Sequence, residues 1–140
     1  MENKVLKAKF GSDKTPLYLG ELSIPCYVLE DGTRVFSGRG IQNAIGANPN
    51  YSGTWLSKFI NSKPISTNLP PGIYDKLSHP IKFKRPTASG SQSDTYGYEV
   101  TLLIDLCYAI IDAYDSRVYQ VSEEYYKAAR RSEEHTSELQ

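Results

Sequence analysis

Residues 99–114 read EVTLLIDLCYAIIDAY and form the longest apolar segment of the chain. At helical spacing they carry one apolar stripe, made by Val100, Leu103, Cys107, Ile110 and Tyr114. The stripe is widened by Leu102, Leu106, Ile111 and Ala113. Aspartates at positions 105, 112 and 115 mark the opposite, solvent side. Because a helix this apolar belongs at the centre of a core, the sequence predicts that the other elements pack around it.

A β-hairpin is predicted upstream of this helix. Residues 17–29 read as a strand because apolar side chains recur there with a period of two. Asp31 and Gly32 form a strong signal for a two-residue turn, and residues 33–37 supply the return strand. Pro25 cannot donate a hydrogen bond to a neighbouring strand, which favours an edge strand or a bulge at that position.

Several shorter elements complete the pattern. Ser37 is placed to cap a helix that ends at Gly46. Residues 54–61 predict a second short helix with Trp55 and Phe59 turned inward, residues 80–84 a short strand, and residues 122–130 a last helix. Residues 1–14 read as a short strand or a loose arm, residues 62–72 as a loop, and residues 73–77 as one helical turn. Residues 87–95 are small and polar, which predicts a mobile surface loop.

These elements predict the fold class α+β, in which an N-terminal β-hairpin and a short late strand pack with several helices around the central helix, residues 99–114. A chain of 140 residues has room for one domain. We expect a polar N-terminal arm at residues 1–16, the domain at residues 17–130, and a separate tail at residues 131–140.

The tail has an unusual sequence, RSEEHTSELQ, which resembles a conceptual translation of a common sequencing adapter. We therefore expect residues 131–140 to be foreign to the natural chain, and the natural chain to continue past Arg130. The tail holds one Arg and three Glu, so its removal changes 16 basic and 16 acidic residues to 15 and 13, a net charge of +2. Bulk charge is therefore too small to argue for nucleic-acid binding, and only a local patch would do so.

Composition sets further limits on the class of protein. The two cysteines, Cys26 and Cys107, lie far apart and away from any histidine at metal-ligand spacing. The first ten residues, MENKVLKAKF, lack the apolar core of a signal peptide. No apolar run approaches the ~20 residues of a membrane span. We expect two buried free thiols and the cytoplasm of a bacterial host, with no membrane contact.

Three segments carry a family resemblance. They are IPCYVLEDGTRVFSGRGIQNAIG at residues 24–46, PIKF at residues 80–83, and YGYEVTLLIDLCYAIIDA at residues 96–113. In residues, order and spacing they resemble the P-sixty-three-C domain of bacteriophage and prophage proteins. The resemblance covers residues 24–130 and implies a phage context beside regulatory, antirepressor-type domains. It implies no catalytic residues.

Six basic residues are candidates for contact with nucleic acid: Arg34, Arg39, Lys58, Lys82, Lys84 and Arg85. Arg39 lies near a predicted helix N-terminus, where main-chain N–H groups also attract phosphate. Lys82 and Lys84 project from the same side of the predicted strand, and such a stripe binds phosphates in a salt-dependent way. The alternative is that these are ordinary solvated side chains, or edge-strand lysines that discourage pairing between sheets. Tyr51, Trp55, Tyr96 and Tyr98 offer stacking surfaces, although Trp55 reads more readily as a core residue.

Catalytic signals are weak. His79 precedes a proline in a predicted loop, and Asp105 and Asp112 share one helix face, where they read as the solvent side of an amphipathic helix. No Asp, Glu and His spacing imitates a metal site. We therefore expect no enzyme, no cofactor and no metal.

Two functional hypotheses follow. The first is a non-catalytic phage or prophage regulatory protein of antirepressor type that binds DNA or a DNA-bound regulator. The second is a protein-binding module that inhibits a host protein such as a defence nuclease. It draws on the near-neutral charge and the eleven tyrosines.

Overall fold

The structure is a computed structural model that describes residues 6–19, 22–48, 50–52, 54–86 and 92–134. The described residues form five strands: β1 (Leu6–Leu19), β2 (Leu22–Leu29), β3 (Arg34–Ser37), β4 (Ile81–Pro86) and β5 (Gln92–Glu99). They also form six helices: α1 (Gly38–Ala44), α2 (Thr54–Ile60), α3 (Lys63–Ser66), α4 (Pro71–Ser78), α5 (Val100–Ser116) and α6 (Glu123–Glu134). The predicted α+β class is confirmed.

The five strands form one sheet that closes on itself in the order β1-β2-β3-β5-β4. Neighbouring strands are antiparallel except β1 and β4, which pair in parallel at Leu6–Phe83 and Lys7–Lys84. The inside of the closed sheet holds a small cluster of buried side chains: Tyr27, Leu29, Val35 and Phe83. Alternate positions, such as Phe36 and its partner Tyr98, face outward and join the larger core under the helices. The two faces of the sheet therefore support two different cores.

The predicted hairpin is present as β2 and β3, but its connection is longer than the two-residue turn that the sequence indicated. Four residues, 30–33, join the strands. Leu29 N donates to the Thr33 carbonyl at 2.8 Å, and the Asp31 carboxylate accepts from Thr33 N at 3.0 Å. Gly32 has φ +89°, a left-handed conformation that glycine adopts without strain. Asp31 and Gly32 therefore make the turn, within a wider loop.

Pro25 lies opposite Pro16 in a strand that has neighbours on both sides. The edge-strand alternative is therefore wrong. The β1–β2 register shifts between Ser12 and Pro16, directly beside Pro25. Such an irregularity is where a strand tolerates a residue with no N–H group, which supports the bulge alternative.

Four predictions are corrected by the strands and short helices. Leu6–Leu19 forms β1, so residues 6–16 belong to the closed sheet rather than to a separate arm at residues 1–16. Gln92–Glu99 forms β5, where the sequence predicted the end of a mobile loop; residues 87–91 of that loop lie outside the described residues. The loop predicted at residues 62–72 contains α3, and α4 is longer than one turn. The two strands differ from prediction for one reason. Neighbouring strands supply hydrogen-bond partners for the main chain of β1 and β5, even where the side chains are polar.

Helix α5 is the centre of the larger core, as predicted. Its buried residues are Val100, Leu102, Leu103, Ile104, Leu106, Cys107, Ala109, Ile110, Ile111 and Ala113. Asp112 and Asp115 are exposed and Asp105 is half-buried, which fits the predicted solvent side. The helix ends at Ser116, and the next residue, Arg117, turns the chain with a φ of 57°. Both cysteines are buried free thiols, as expected.

Helix α6 continues past Arg130 to Glu134, into the segment expected to be foreign. Ser132 is fully buried and its hydroxyl donates to the Ala44 carbonyl at 3.0 Å. Gly46 follows α1 with φ +83°, and its hypothetical Cβ would lie 3.0 Å from the Ala128 Cβ, so α6 packs closely against this turn. Residues 135–140 lie outside the described residues, and the origin of the tail stays a prediction.

Candidate nucleic-acid interface

The helical layer covers only part of the outer face of β5. Tyr98 and Tyr96 are two residues apart and therefore point to the same side of the strand. Tyr98 is 8% exposed and packs in the larger core, whereas Tyr96 is 57% exposed. The boundary of the core thus falls between these two tyrosines, and a groove opens there.

The groove has a volume of about 760 Å³ and lies between the outer face of β5, the start of α1 and one side of α2. Its lining side chains are two cations, four hydroxyl-bearing residues, two tyrosines, a proline and a glycine. They are Ser37, Gly38, Arg39, Thr54, Ser57, Lys58, Pro80, Thr95, Tyr96 and Tyr98. Among the described residues that line the groove, none is acidic. We name this feature the Arg39–Lys58 groove.

Arg39 is held by the junction between β3 and α1. The Ser37 hydroxyl accepts a hydrogen bond from Gly40 N at 3.2 Å, which caps the helix as predicted. Gly40 sits against the core, because a Cβ there would lie 2.7 Å from the Ile24 Cγ2. Arg39, between them, is exposed. The cap and the close approach at Gly40 fix the backbone that carries the guanidinium to the groove.

Lys58 is positioned by the amphipathic pattern of α2. Leu56 and Ile60 are fully buried on one side of this helix, and Lys58 is exposed on the other. Trp55 and Phe59 are half-buried and stack on each other with ring centroids 4.8 Å apart. The inward orientation predicted for α2 is confirmed, with Leu56 and Ile60 more deeply buried than the two aromatic residues.

The Trp55 ring packs against other aromatic rings. It stacks on Tyr51 at 5.4 Å and lies 5.9 Å from the tilted ring of Tyr125. The interpretation of Trp55 as a packing residue therefore fits the structure better than its interpretation as a stacking platform. Tyr51 is 38% exposed and belongs to this stack, so it lies apart from the residues that line the groove.

Lys82 and Lys84 lie on the face of β4 that continues the face of Tyr96. In the register, Lys82 pairs with Tyr96 and Lys84 pairs with Asp94. Lys82 is exposed and Lys84 half-buried. The predicted placement of these two lysines on one face is confirmed by the register, and Lys82 extends the basic character of the sheet beside the groove.

The remaining two candidates are Arg34 and Arg85, and Arg34 is not among the residues that line the groove. Arg34 lies at the start of β3 and interacts with Cys26: burial raises the pKa of the Cys26 thiol, and the Arg34 guanidinium partly offsets this. Arg85 pairs with Ser93 in the register, and its side chain lies outside the described residues. Of the six candidates, the structure therefore joins Arg39 and Lys58 directly and places Lys82 beside them.

A smaller cavity of about 290 Å³ adjoins the groove. The two share Ser57, Pro80 and Tyr98 as lining residues. The cavity is further lined by Ile60, Asn61, Tyr74, Leu77 and Ser78, none of them charged. The Tyr74 hydroxyl donates to the Asn61 side-chain oxygen. A basic groove thus continues into a recess whose described lining residues are uncharged and carry amide and hydroxyl groups.

The weak catalytic candidates lie apart. His79 Nδ1 is 2.9 Å from the Asp75 carbonyl oxygen and 3.4 Å from its carboxylate, and both side chains are exposed. Asp105 is half-buried, which raises its pKa, with Lys76 acting in the opposite direction. Asp112 is exposed on the same helix. Within the described ranges, no group of three or more His, Cys, Asp or Glu residues could hold a metal ion.

The sequence did not single out four neutral residues of the groove as candidates: Thr54, Ser57, Pro80 and Thr95. They come from three segments that are distant in the chain, and no local pattern connects them. Tyr96 was recognised as a stacking candidate, but its environment depends on strand β5, which the sequence did not indicate.

Comparison with known proteins adds no relative. No protein-family model matches the chain, and no curated protein and no solved structure matches it. In the part of the chain that the structure describes, no helix has the length and apolar character needed to cross a membrane.

Proposed function

We propose that this chain is a non-catalytic regulatory protein of phage or prophage origin, of the antirepressor type, that binds DNA or a DNA-bound regulator. One observation carries the nucleic-acid part of the proposal: Arg39 and Lys58 line one groove, and none of the described residues that line it is acidic.

The charge arrangement supports this proposal despite the small net charge. Phosphate binding depends on cations grouped at one surface rather than on the total for the chain. Arg39 and Lys58 are both exposed, and Lys82 lies opposite Tyr96 at the edge of the groove. Hydroxyl groups such as those of Thr54 and Ser57 also bind phosphate or sugar oxygens. The groove therefore combines the side chains that hold a nucleic-acid backbone.

The regulatory part of the proposal draws on the resemblance of residues 24–46, 80–83 and 96–113 to the P-sixty-three-C domain. These three segments supply the hairpin with α1, the beginning of β4, and the end of β5 with α5. Residues of all three resembling segments line the groove, among them Arg39, Pro80 and Tyr96. The resemblance and the groove thus concern the same part of the molecule.

Binding of a labelled DNA oligonucleotide at low salt tests the proposal. The double variant Arg39→Gln, Lys58→Gln is expected to bind roughly tenfold to a hundredfold more weakly at low salt, on the order of 50 mM. The slope of log affinity against log salt becomes less steep by about 0.7 to 0.9 for each phosphate that the variant no longer neutralises. The control is Lys127→Gln, Arg130→Gln, which removes the same charge from exposed positions on α6, outside the groove.

The control variant is expected to bind like the unmodified chain. Equal losses in both double variants would show a nonspecific effect of net charge. No binding to any DNA at low salt would remove the DNA version of the proposal.

A protein partner is the second candidate function, as an inhibitor of a host protein such as a defence nuclease. The observation in its favour is a set of exposed large side chains away from the groove: Tyr108 on α5, and Val118 and Tyr119 in the following loop. Tyrosine suits protein interfaces because it combines apolar area with a polar tip. A stoichiometric partner that is retained after nuclease treatment, but not by the double variant Tyr108→Ala, Val118→Ser, supports this candidate over the first.

A further inference from the structure

The shape of the Arg39–Lys58 groove restricts the form of nucleic acid it accepts. It is lined by Tyr98, which is 8% exposed, and by Arg39 and Lys58 from two different helices. Its volume of about 760 Å³ is comparable to that of small-ligand sites, and the groove is open to solvent. The helices beside it, α1 and α2, have seven residues each and pack into the core. Proteins that read duplex DNA instead project a helix or ribbon into the major groove.

Tyr96 adds a stacking surface to the wall of this groove. Its ring is 57% exposed, its own position pairs with Lys82 of β4, and β3 pairs with this strand from the next residue, Gly97, onward. The ring is therefore presented on a fixed backbone. Bases in a duplex are stacked on their neighbours, so a side-chain ring is useful only where a base is unstacked. An exposed aromatic ring beside cations is the combination found in proteins that bind single strands.

The recess next to the groove also suits a nucleic acid with an unstacked base. Ser57 and Ser78 offer hydroxyl groups there, whereas the Asn61 amide is held in place by the Ser57 carbonyl and the Tyr74 hydroxyl. The edge of an unstacked base makes hydrogen bonds with hydroxyl groups. Phosphates bind more favourably to the cations of the groove. The two adjoining spaces thus separate a place for the backbone from a place for a base.

We propose that the groove binds a single-stranded nucleic-acid segment, with phosphates at Arg39 and Lys58 and a base stacked on Tyr96. This inference rests on the proposed function and specifies its ligand. A duplex is then a poor ligand unless it opens, and the sequence preference is weak because every base offers a ring face.

Fluorescence anisotropy with three labelled probes tests the inference: a twelve-nucleotide oligo-dT, the matching oligo-U, and a hairpin duplex with the same number of phosphates. The single-stranded probes are expected to bind at least tenfold more tightly than the duplex. Tyr96→Ala is expected to weaken oligo-dT binding about tenfold or more, because stacking of one base is removed. Tyr96→Phe keeps the ring and retains most of the affinity. The oligo-dT and oligo-U arms show whether the sugar matters.

Tyr108→Ala is the matched control, because Tyr108 is also an exposed tyrosine, 47% accessible, and does not line the groove. It is expected to leave binding unchanged. The inference is overturned if the duplex binds as well as oligo-dT, or if Tyr96→Ala binds normally. Duplex binding that is abolished in Arg39→Gln, Lys58→Gln would overturn this inference while the proposed function stands. Absence of binding to all three probes would overturn both.

Discussion

Tyr96 and Tyr98 belong to the same face of the same strand, yet they have opposite environments. Tyr98 lies under the helices, next to Phe36 in the register, and a Cβ on Gly38 would lie only 3.6 Å from its ring. Tyr96 is two residues earlier and lies at the open side of the Arg39–Lys58 groove. The helices α1 and α2 cover the Tyr98 ring and leave the Tyr96 ring exposed.

This contrast shows how one face of a closed sheet can be part core and part exposed groove. The inner face of the sheet is filled by its own side chains, and the outer face is covered by helices only along part of its length. The backbone of the uncovered part is held by the sheet. The fold therefore fixes the positions of the side chains there but does not depend on them for stability, so the two tyrosines should respond differently to substitution.

The largest difference is expected in stability. Tyr98→Ala removes a ring from the larger core and should lower the free energy of unfolding by about 3 kcal/mol or more, as for other buried aromatic side chains. Tyr96→Ala should change it by no more than about 0.5 kcal/mol, as for other surface substitutions. Urea unfolding followed by circular dichroism measures both. Similar losses in the two variants would contradict the boundary between them.

Gly97, between the two tyrosines, faces the inside of the closed sheet. A Cβ there would lie 2.8 Å from the Phe83 ring and 3.1 Å from the Val35 Cβ. Gly97→Ala is therefore expected to lower the free energy of unfolding by about 1–3 kcal/mol through overpacking. Gly72→Ala on α4 is the control, because its Cβ would meet no atom within 4 Å and alanine favours helix. A neutral Gly97→Ala would show that the inner core is loosely packed.

A smaller effect is expected at the edge of the groove. Ser37→Ala removes the cap of α1 and should cost about 1 kcal/mol of stability. Ser37→Asp keeps a capping oxygen and should restore most of it. Thermal unfolding of the two variants tests this expectation. Equal melting temperatures for Ser37→Ala and Ser37→Asp would show that the cap does not hold α1.

The smallest effect concerns alkaline pH. Burial raises the pKa of Tyr98 above its ordinary value of about 10, so the folded protein favours the neutral phenol. This contribution to stability is complete below the ordinary tyrosine pKa and is lost as the pH rises through the folded pKa. Urea unfolding from about pH 8 to about pH 11 is expected to show a steeper decline for the unmodified chain than for Tyr98→Phe. Parallel declines would contradict the buried environment of the hydroxyl.

The elements with strong periodic signals were predictable from the sequence. Helix α5 carries an apolar stripe on consecutive turns, and the turn at Asp31 and Gly32 has its own chemistry. Strand β5 was not predictable, because its residues other than Tyr96 and Tyr98 are polar or small and its stability comes from pairing with β3 and β4. The residues of a single segment do not indicate which distant strands will pair with it. The sequence of residues 1–14 likewise fits either a strand or an arm, because the pairing of β1 with β2 and β4 does not show in its own residues.

The groove was predictable only in part. Arg39, Lys58 and Tyr96 were named as candidates by residue type, but their grouping depends on the placement of β5 against α1 and α2. Arg34 shared the same residue type and lies instead beside Cys26. Charge alone therefore did not separate the groove from the rest of the surface, and the fold was needed to do so.

The most direct test of the Arg39–Lys58 groove as the binding site is a nuclear magnetic resonance titration of the labelled chain with unlabelled oligo-dT. We predict amide shifts concentrated at residues 37–39, 57–58 and 95–96, which line the groove. Amides near Tyr108 and Val118 should stay unchanged. Shifts centred on those two residues, or spread evenly over the surface, would contradict the claim that the uncovered face beside Tyr96 is the binding site.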